Sequence, residues 1–303
     1  MGLIDSAISG AMETVGSGMM DAGNFFLKGG YSVWGSFSKV AMRYVQQQPE
    51  SLGAWQVVTG SVYTLSTGIA ASLSVLFFVL GWMRNSVEIR NNFSIDEVFK
   101  FCIRYVLTAG LIVNALSLIS SVSECATAVV AVVYEEEGLE NQEAPDDLFE
   151  KAKDSLEDGD SGADWLSVGV VAFLGGAVGG LFIIVCSVQL VLSVLSRLFK
   201  MYLCIPFAPV AFAGFAGGHE MARSGIAWIQ TFLSYALEAV VIVLAITVSY
   251  GLFSGGGLFE AGDGTWNAAT MILQICGYCM PFACVAASVK GAELVVRRCL
   301  GLG

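Results

Sequence analysis

The stretch from Ser196 to Trp228, SRLFKMYLCIPFAPVAFAGFAGGHEMARSGIAW, constrains the fold most, because it is an apolar run that cannot form one unbroken helix. Met201 to Ala216 is apolar enough for lipid, yet as a helix it reaches only roughly 24 Å, short of the ~30 Å hydrocarbon core. Pro206 and Pro209 lack a backbone donor, and their rings clash with the carbonyls of Tyr202 and Ile205. Gly214, Gly217 and Gly218 then permit a sharp turn. Broken backbone at membrane depth persists only inside protein or beside a watery cavity. These residues therefore predict a proline-broken, re-entrant elbow over 197–223, enclosed by protein, with a short kinked span as the other reading.

Composition places the rest of the chain in a bilayer. With 55% hydrophobic and 14% charged residues and a mean hydropathy of +0.71, it is too apolar for an ordinary soluble domain. An all-α, multi-pass membrane protein of about five spans is expected, with the lipid bilayer as its first partner. The net charge of −11 is carried by Glu135 to Asp164 alone, where thirteen acids face two lysines. No region is both basic and aromatic, so direct sequence-specific nucleic-acid binding is not expected. No Lys or Arg precedes Lys28, which argues against a cleaved leader.

No constellation for chemistry is visible, so no catalytic residue, metal ligand set or cofactor is assigned. Cys276 and Cys279 form a C-x-x-C on an apolar helix with no cation beside them, the pattern of packing cysteines rather than a reactive pair. The lone His219 is far from them, and zinc needs four ligands. Asp158, Asp160 and Asp164 lack the glycine and the terminal Glu of a calcium loop, which leaves a solvated charge run.

Along the chain, residues 1–60 read as amphipathic helices lying outside the spans. Ile4, Ile8, Met12, Val15 and Met19 repeat at helical spacing, and after Gly29 and Gly30 so do Val33, Trp34, Phe37, Val40, Ala41, Tyr44 and Val45, until Pro49 ends the pattern. They either pack on their own membrane domain or line a ring or grip a partner. Residues 61–134 hold the first two spans, about Val62 to Met83 and Ile103 to Val133. Ser94 and Glu97 form an S-x-x-E capping box, so the second helix should begin near Ile95 and run on unbroken. Asn114 and Glu124, with the serines between them, mark a stripe that faces protein or water rather than lipid.

Residues 135–165 form the acidic, extracytoplasmic loop, in which Pro145, Asp146 and Asp147 open a short helix with Leu148, Phe149, Ala152 and Leu156 as its apolar side. Residues 166–303 hold the last three spans and the elbow. Gly175, Gly176, Gly179 and Gly180 make two overlapping G-x-x-x-G pairs that let another helix approach closely. Glu238 lies near the middle of the span from Ile226 to Tyr250, where an ionisable group must be paired, neutral or hydrated. Two readings stand for it: a protonated acid hydrogen-bonded to a neighbouring helix, or a lumen or relay group. If the elbow turns back, ten of the fifteen Lys and Arg fall on one side, which the positive-inside rule makes cytoplasmic. The N-terminus and the Gly255 to Asp263 turn are then outside and the C-terminus inside.

From about Gly60 to the C-terminus this layout, with RLFKMYLCIPFAPVAFAGFAGG followed by Arg223 and Trp228, resembles the TrbL-type family. These are polytopic inner-membrane components of bacterial type IV secretion and conjugation machines. The resemblance implies a homo-oligomeric ring at the pilus base or translocation conduit, working with ATPases and with pilus or scaffold subunits. The long soluble C-terminal extension of larger members is not expected here. A secondary transporter using Glu238 and Glu124 is the alternative, but transporters pair two corresponding broken helices and this sequence has one.

Overall fold

The computed structural model describes residues 2–88, 95–137, 149–157, 162–253 and 267–301, and among these residues there are helices and no strand. In chain order the helices are α1 (Gly2–Gln46), α2 (Gly53–Thr59), α3 (Ser61–Glu88), α4 (Ile95–Val113), α5 (Ala115–Glu137), α6 (Glu150–Glu157), α7 (Gly162–Cys204), α8 (Ala208–Ala213), α9 (His219–Phe253) and α10 (Ala268–Cys299). Five helical runs are long and apolar enough to cross a membrane: Gly53–Arg84, Ala115–Val133, Trp165–Gly217, His219–Ser249 and Ala268–Cys299. The all-α, five-span class expected from composition is the class observed.

Three expectations are corrected. The N-terminal segment is one helix, not two, because Gly29 and Gly30 stay helical within α1. The second span is divided at Asn114. There a one-residue turn separates α4 from α5, and the Asn114 side-chain amide donates to the Gly110 carbonyl (2.8 Å), the same acceptor its backbone N–H uses (3.0 Å). The break in the elbow is confined to 205–218, since α7 holds to Cys204 and α9 begins at His219. A proline disturbs only the turn before it, so Arg197 and Arg223 sit on regular helix.

Helix α4 is described from Ile95, and the side chains of the Ser94–Glu97 capping box lie outside the described residues. So do Pro145, Asp146, Asp147, Leu148, the Asp158–Asp160 pair and the Gly255–Asp263 turn. Within the described part, α6 covers Glu150–Glu157, and Phe149, Ala152 and Leu156 are buried.

The described chain forms two compact units. The first comprises Met1–Arg43, Tyr134–Ser193 and Ile242–Lys290. In it, Gly16, Met20, Gly23, Leu27, Gly30 and Trp34 form the buried line of α1, alternating four and three residues apart, the spacing of a seam between two helices. Its glycines meet backbone. A Cβ at Gly16, Gly23 or Gly30 would strike the main chain of Trp165, Ala172 and Gly180 in turn, the last at 2.9 Å. These contacts advance together along both chains, so α1 and α7 run parallel, and only hydrogen side chains allow so short an approach. The Lys153 Nζ to Asp21 Oδ1 ion pair (2.6 Å) ties α6 to α1.

The second unit comprises Tyr44–Val133, Val194–Val241 and Gly291–Gly303. Its core gathers Tyr63, Ile112, Ile119, Tyr202, Phe212 and Phe232 around the elbow. Gly81 of α3 approaches the Gly217 backbone so closely that a Cβ would lie 2.7 Å from its oxygen. The Tyr202 hydroxyl donates to the Pro49 carbonyl at 2.7 Å, fixing the turn that follows α1 onto the end of α7.

Candidate functional site

The elbow is a helix run through by two prolines. Ile205–Phe207 and Gly214–Gly217 are 3-10 turns flanking the six residues of α8, and the Ala208 N–H bonds back to Ile205, three residues away. Tightening of this kind removes the usual donor from carbonyls one turn earlier. Two side chains replace such donors: Trp228 Nε1 donates to the Cys204 carbonyl at 3.1 Å, and the Ser66 hydroxyl donates to the Pro206 carbonyl. A buried carbonyl left unpaired would cost about 1–3 kcal/mol, so these donors hold the break in place. Trp228 is itself positioned by rings, stacked on Phe232 at 5.3 Å and edge-on to Phe212 at 5.1 Å. Gly218, at φ +99°, makes the reversal into α9 in a conformation that side-chain-bearing residues rarely adopt. Pro209 is buried, Gly217 is half-buried, and Arg223 is exposed.

Within the last two turns of α7 before the break lies the first part of a buried ionic node. Arg197, 3% exposed, donates from Nε to the Tyr235 carbonyl at 2.7 Å. Glu238, 5% exposed, is three residues further along α9, and the charged groups acting on it are Lys200, Glu293, Arg197 and Arg297. Lys200 Nζ pairs with Glu293, and Arg297 Nε lies 3.2 Å from the other Glu293 oxygen. Arg297 also donates to the Tyr235 hydroxyl at 3.2 Å, and both cations sit about the Tyr235 ring, Lys200 Nζ 6.0 Å and Arg297 Cζ 5.9 Å from its centre. Three cations thus face two carboxylates. Arg197 Nη1 and Glu238 Oε2 have no hydrogen-bond partner among the described residues, so the node is braced by charge more than by complete hydrogen bonding.

The other residues singled out by sequence fall elsewhere. Asn114 and Glu124 are exposed on α4–α5 and do not approach Glu238's partners in any described contact. The glycine quartet serves two neighbours. Gly176 and Gly180 meet the backbone of Gly23 and Phe26, while Gly175 and Gly179 meet the side chains of Ile275 and Cys279. Each G-x-x-x-G pair therefore seats a different helix. Sequence reading missed the α1 glycines and the whole node except Glu238. The Glu293–Arg297 spacing of four was legible as a helix-surface pair, but nothing local linked it to Arg197.

Five helical runs long and apolar enough to cross a membrane, with a largely buried broken segment and a buried group of charges in the second unit, define a multi-pass integral membrane protein. Comparison with known families adds the particular one. Residues 71–289, more than two-thirds of the chain, match the family described as TrbL/VirB6 plasmid conjugal transfer protein, and the chain belongs to that family. It is a component of conjugal transfer, or type IV secretion, machinery. The match is narrower than the Gly60-to-terminus resemblance. It covers the elbow, the α5 stripe and Glu238, and leaves outside it the α1 seam and Glu293 with Arg297. No curated protein matches the chain.

Proposed function

We propose that this chain assembles into a closed homo-oligomeric ring forming part of the translocation channel or pilus base, and that it performs no chemistry itself. The observation that carries the reading is a line of exposed polar side chains, Asn114, Ser117, Ser121 and Glu124, spaced three, four and three residues apart. Three of the four lie within the apolar span Ala115–Val133, and Asn114, Ser117 and Ser121 border a groove of about 720 Å³ lined from Val106 to Val122. On the same helix Val129 and Val132 are exposed and suit lipid, whereas a carboxylate at the bilayer centre costs at least about 2.5 kcal/mol. Such a stripe calls for another copy or a water-filled lumen. ATPases and pilus or scaffold subunits are the partners that family membership supports.

Native mass measurement in mild detergent, beside a mating assay, tests this. The purified chain is expected to be a discrete oligomer, Ser121→Leu with Glu124→Leu to lower DNA transfer at least tenfold, and deletion to abolish it. Unchanged transfer after deletion, or a monomer that alone drives solute uptake into vesicles, overturns the reading in favour of a transporter.

The orientation we infer has the N-terminus, the acidic loop and the 255–263 turn outside, the C-terminus in the cytoplasm, and the elbow re-entrant in the inner membrane. Its support is the clustering of Arg84, Lys100, Arg104, Lys200, Arg223 and Arg297 on one side of the spans. With single reporter cysteines in a cysteine-free background, an impermeant reagent should label position 150 in intact cells and spare 223. The reverse pattern removes the re-entrant elbow.

A further inference from the structure

We propose that a pocket where α4 meets the start of α9 binds the phosphate of an anionic phospholipid. The pocket, about 590 Å³, is basic at one end and apolar along its wall. The basic end is made by Lys100 and Arg104, one helical turn apart on the same face of α4, together with Gly218 and His219. Neither Lys100 nor Arg104 has a carboxylate partner among the described residues. Among the acids whose side chains are described, the nearby Glu220 is paired with Arg84. Arg104 is held with its guanidinium 5.5 Å from the Phe101 ring centre, and its Nη1 would lie 3.4 Å from a Cβ placed at Gly218. Position 218 is thus in ordinary contact range of the cation, and the first amides of the 35-residue α9 add partial positive charge at the same place.

The wall decides which phosphate. The α4 face continues from the cations into Ile103, Leu107 and Leu111, with Phe215 opposite, and Leu107 is 68% exposed. A free phosphate gains nothing from that surface, whereas an acyl chain covers it. The depth is also that of a headgroup. Trp82 and Tyr105 pack with Phe78 and Phe101 on the adjoining turns of α3 and α4, at ring separations of 5.0 to 6.3 Å. Trp and Tyr gathered beside Lys and Arg at helix ends mark the membrane–water boundary, where basic pockets between spans take lipid phosphates.

The test uses the full chain, delipidated in mild detergent and titrated with phosphatidylglycerol or phosphatidylcholine while native mass spectrometry counts bound lipid. Phosphatidylglycerol is expected to bind at one site per chain and phosphatidylcholine at least tenfold more weakly. Lys100→Gln with Arg104→Gln should lower phosphatidylglycerol affinity roughly twenty- to thirtyfold, at about fivefold per cation lost. Arg223→Gln, the loss of one cation outside the pocket, should change it less than twofold. Arg104→Lys should retain most of the affinity, which separates lost charge from lost fold. Millimolar inorganic phosphate should leave the lipid bound. The proposal is overturned if the double variant binds as the parent does, if Arg223→Gln loses as much, or if inorganic phosphate displaces the lipid, the last outcome marking a site for soluble anions.

Discussion

Gly23→Leu and Gly176→Leu are each expected to destabilise the protein by about 3 kcal/mol or more, because each forces a side chain into the backbone of the facing helix. The Gly23 and Gly176 main chains touch one another, and a Cβ at either would lie well inside van der Waals contact. Neither backbone can rotate away without breaking its own helical ladder, so α1 must separate from α7 and the seam through Leu27 and Trp34 is lost with it. The comparison that isolates this effect lies on the same helix. A Cβ at Gly18, Gly29 or Gly35 meets nothing within 4 Å, so Ala there should be neutral or stabilising by up to about 1 kcal/mol through helix propensity. Thermal unfolding in detergent, with protease cleavage of α1 as a local probe, reads both sets. A Gly23→Leu chain that melts with the Gly18→Ala chain would show that α1 is not held through this seam.

The second large effect concerns the node. Arg197→Met should cost about 3–5 kcal/mol, the usual result of removing one member of a buried ion group, since it strands Glu238 and frees the Tyr235 carbonyl from its second donor. Glu238→Gln keeps the shape and a hydrogen-bonding side chain, and is expected to leave the proposed oligomer and DNA transfer largely intact. Glu238→Leu leaves Arg197 facing an apolar group, and should weaken the oligomer. Combining Arg197→Met with Glu238→Leu should cost clearly less than the sum of the two single changes, because neither residue is then left as an uncompensated charge. Strict additivity would mean that the two do not interact. Loss of transfer in Glu238→Gln with assembly preserved would instead assign the carboxylate to a charged lumen or relay.

Two features show how far composition and spacing reach. The length and apolarity of the spans, and the break at Pro206 and Pro209, are properties of short segments: a proline removes its own donor wherever it stands, and an apolar twenty-residue run needs no neighbour to prefer lipid. The stripe from Asn114 to Glu124 was legible for the same reason, since its polarity conflicts with its own helix.

Which face of α1 is buried was decided only by tertiary structure. Its apolar repeat points to Ile8 and Val15, yet these are 49% and 48% exposed, and the buried line runs through Gly16, Gly23 and Gly30. Hydrophobic periodicity weighs side chains, and glycine contributes none; its value appears only when a second backbone lies against it. The node has the same origin. Arg197, Lys200, Tyr235, Glu238, Glu293 and Arg297 come from three helices up to 100 residues apart, and each looks locally like a flanking charge or a misplaced acid. Sequence could require that Glu238 be paired, because burying an unpaired charge is too costly. Its partners could be chosen only by the packing that brings α7, α9 and the end of α10 together.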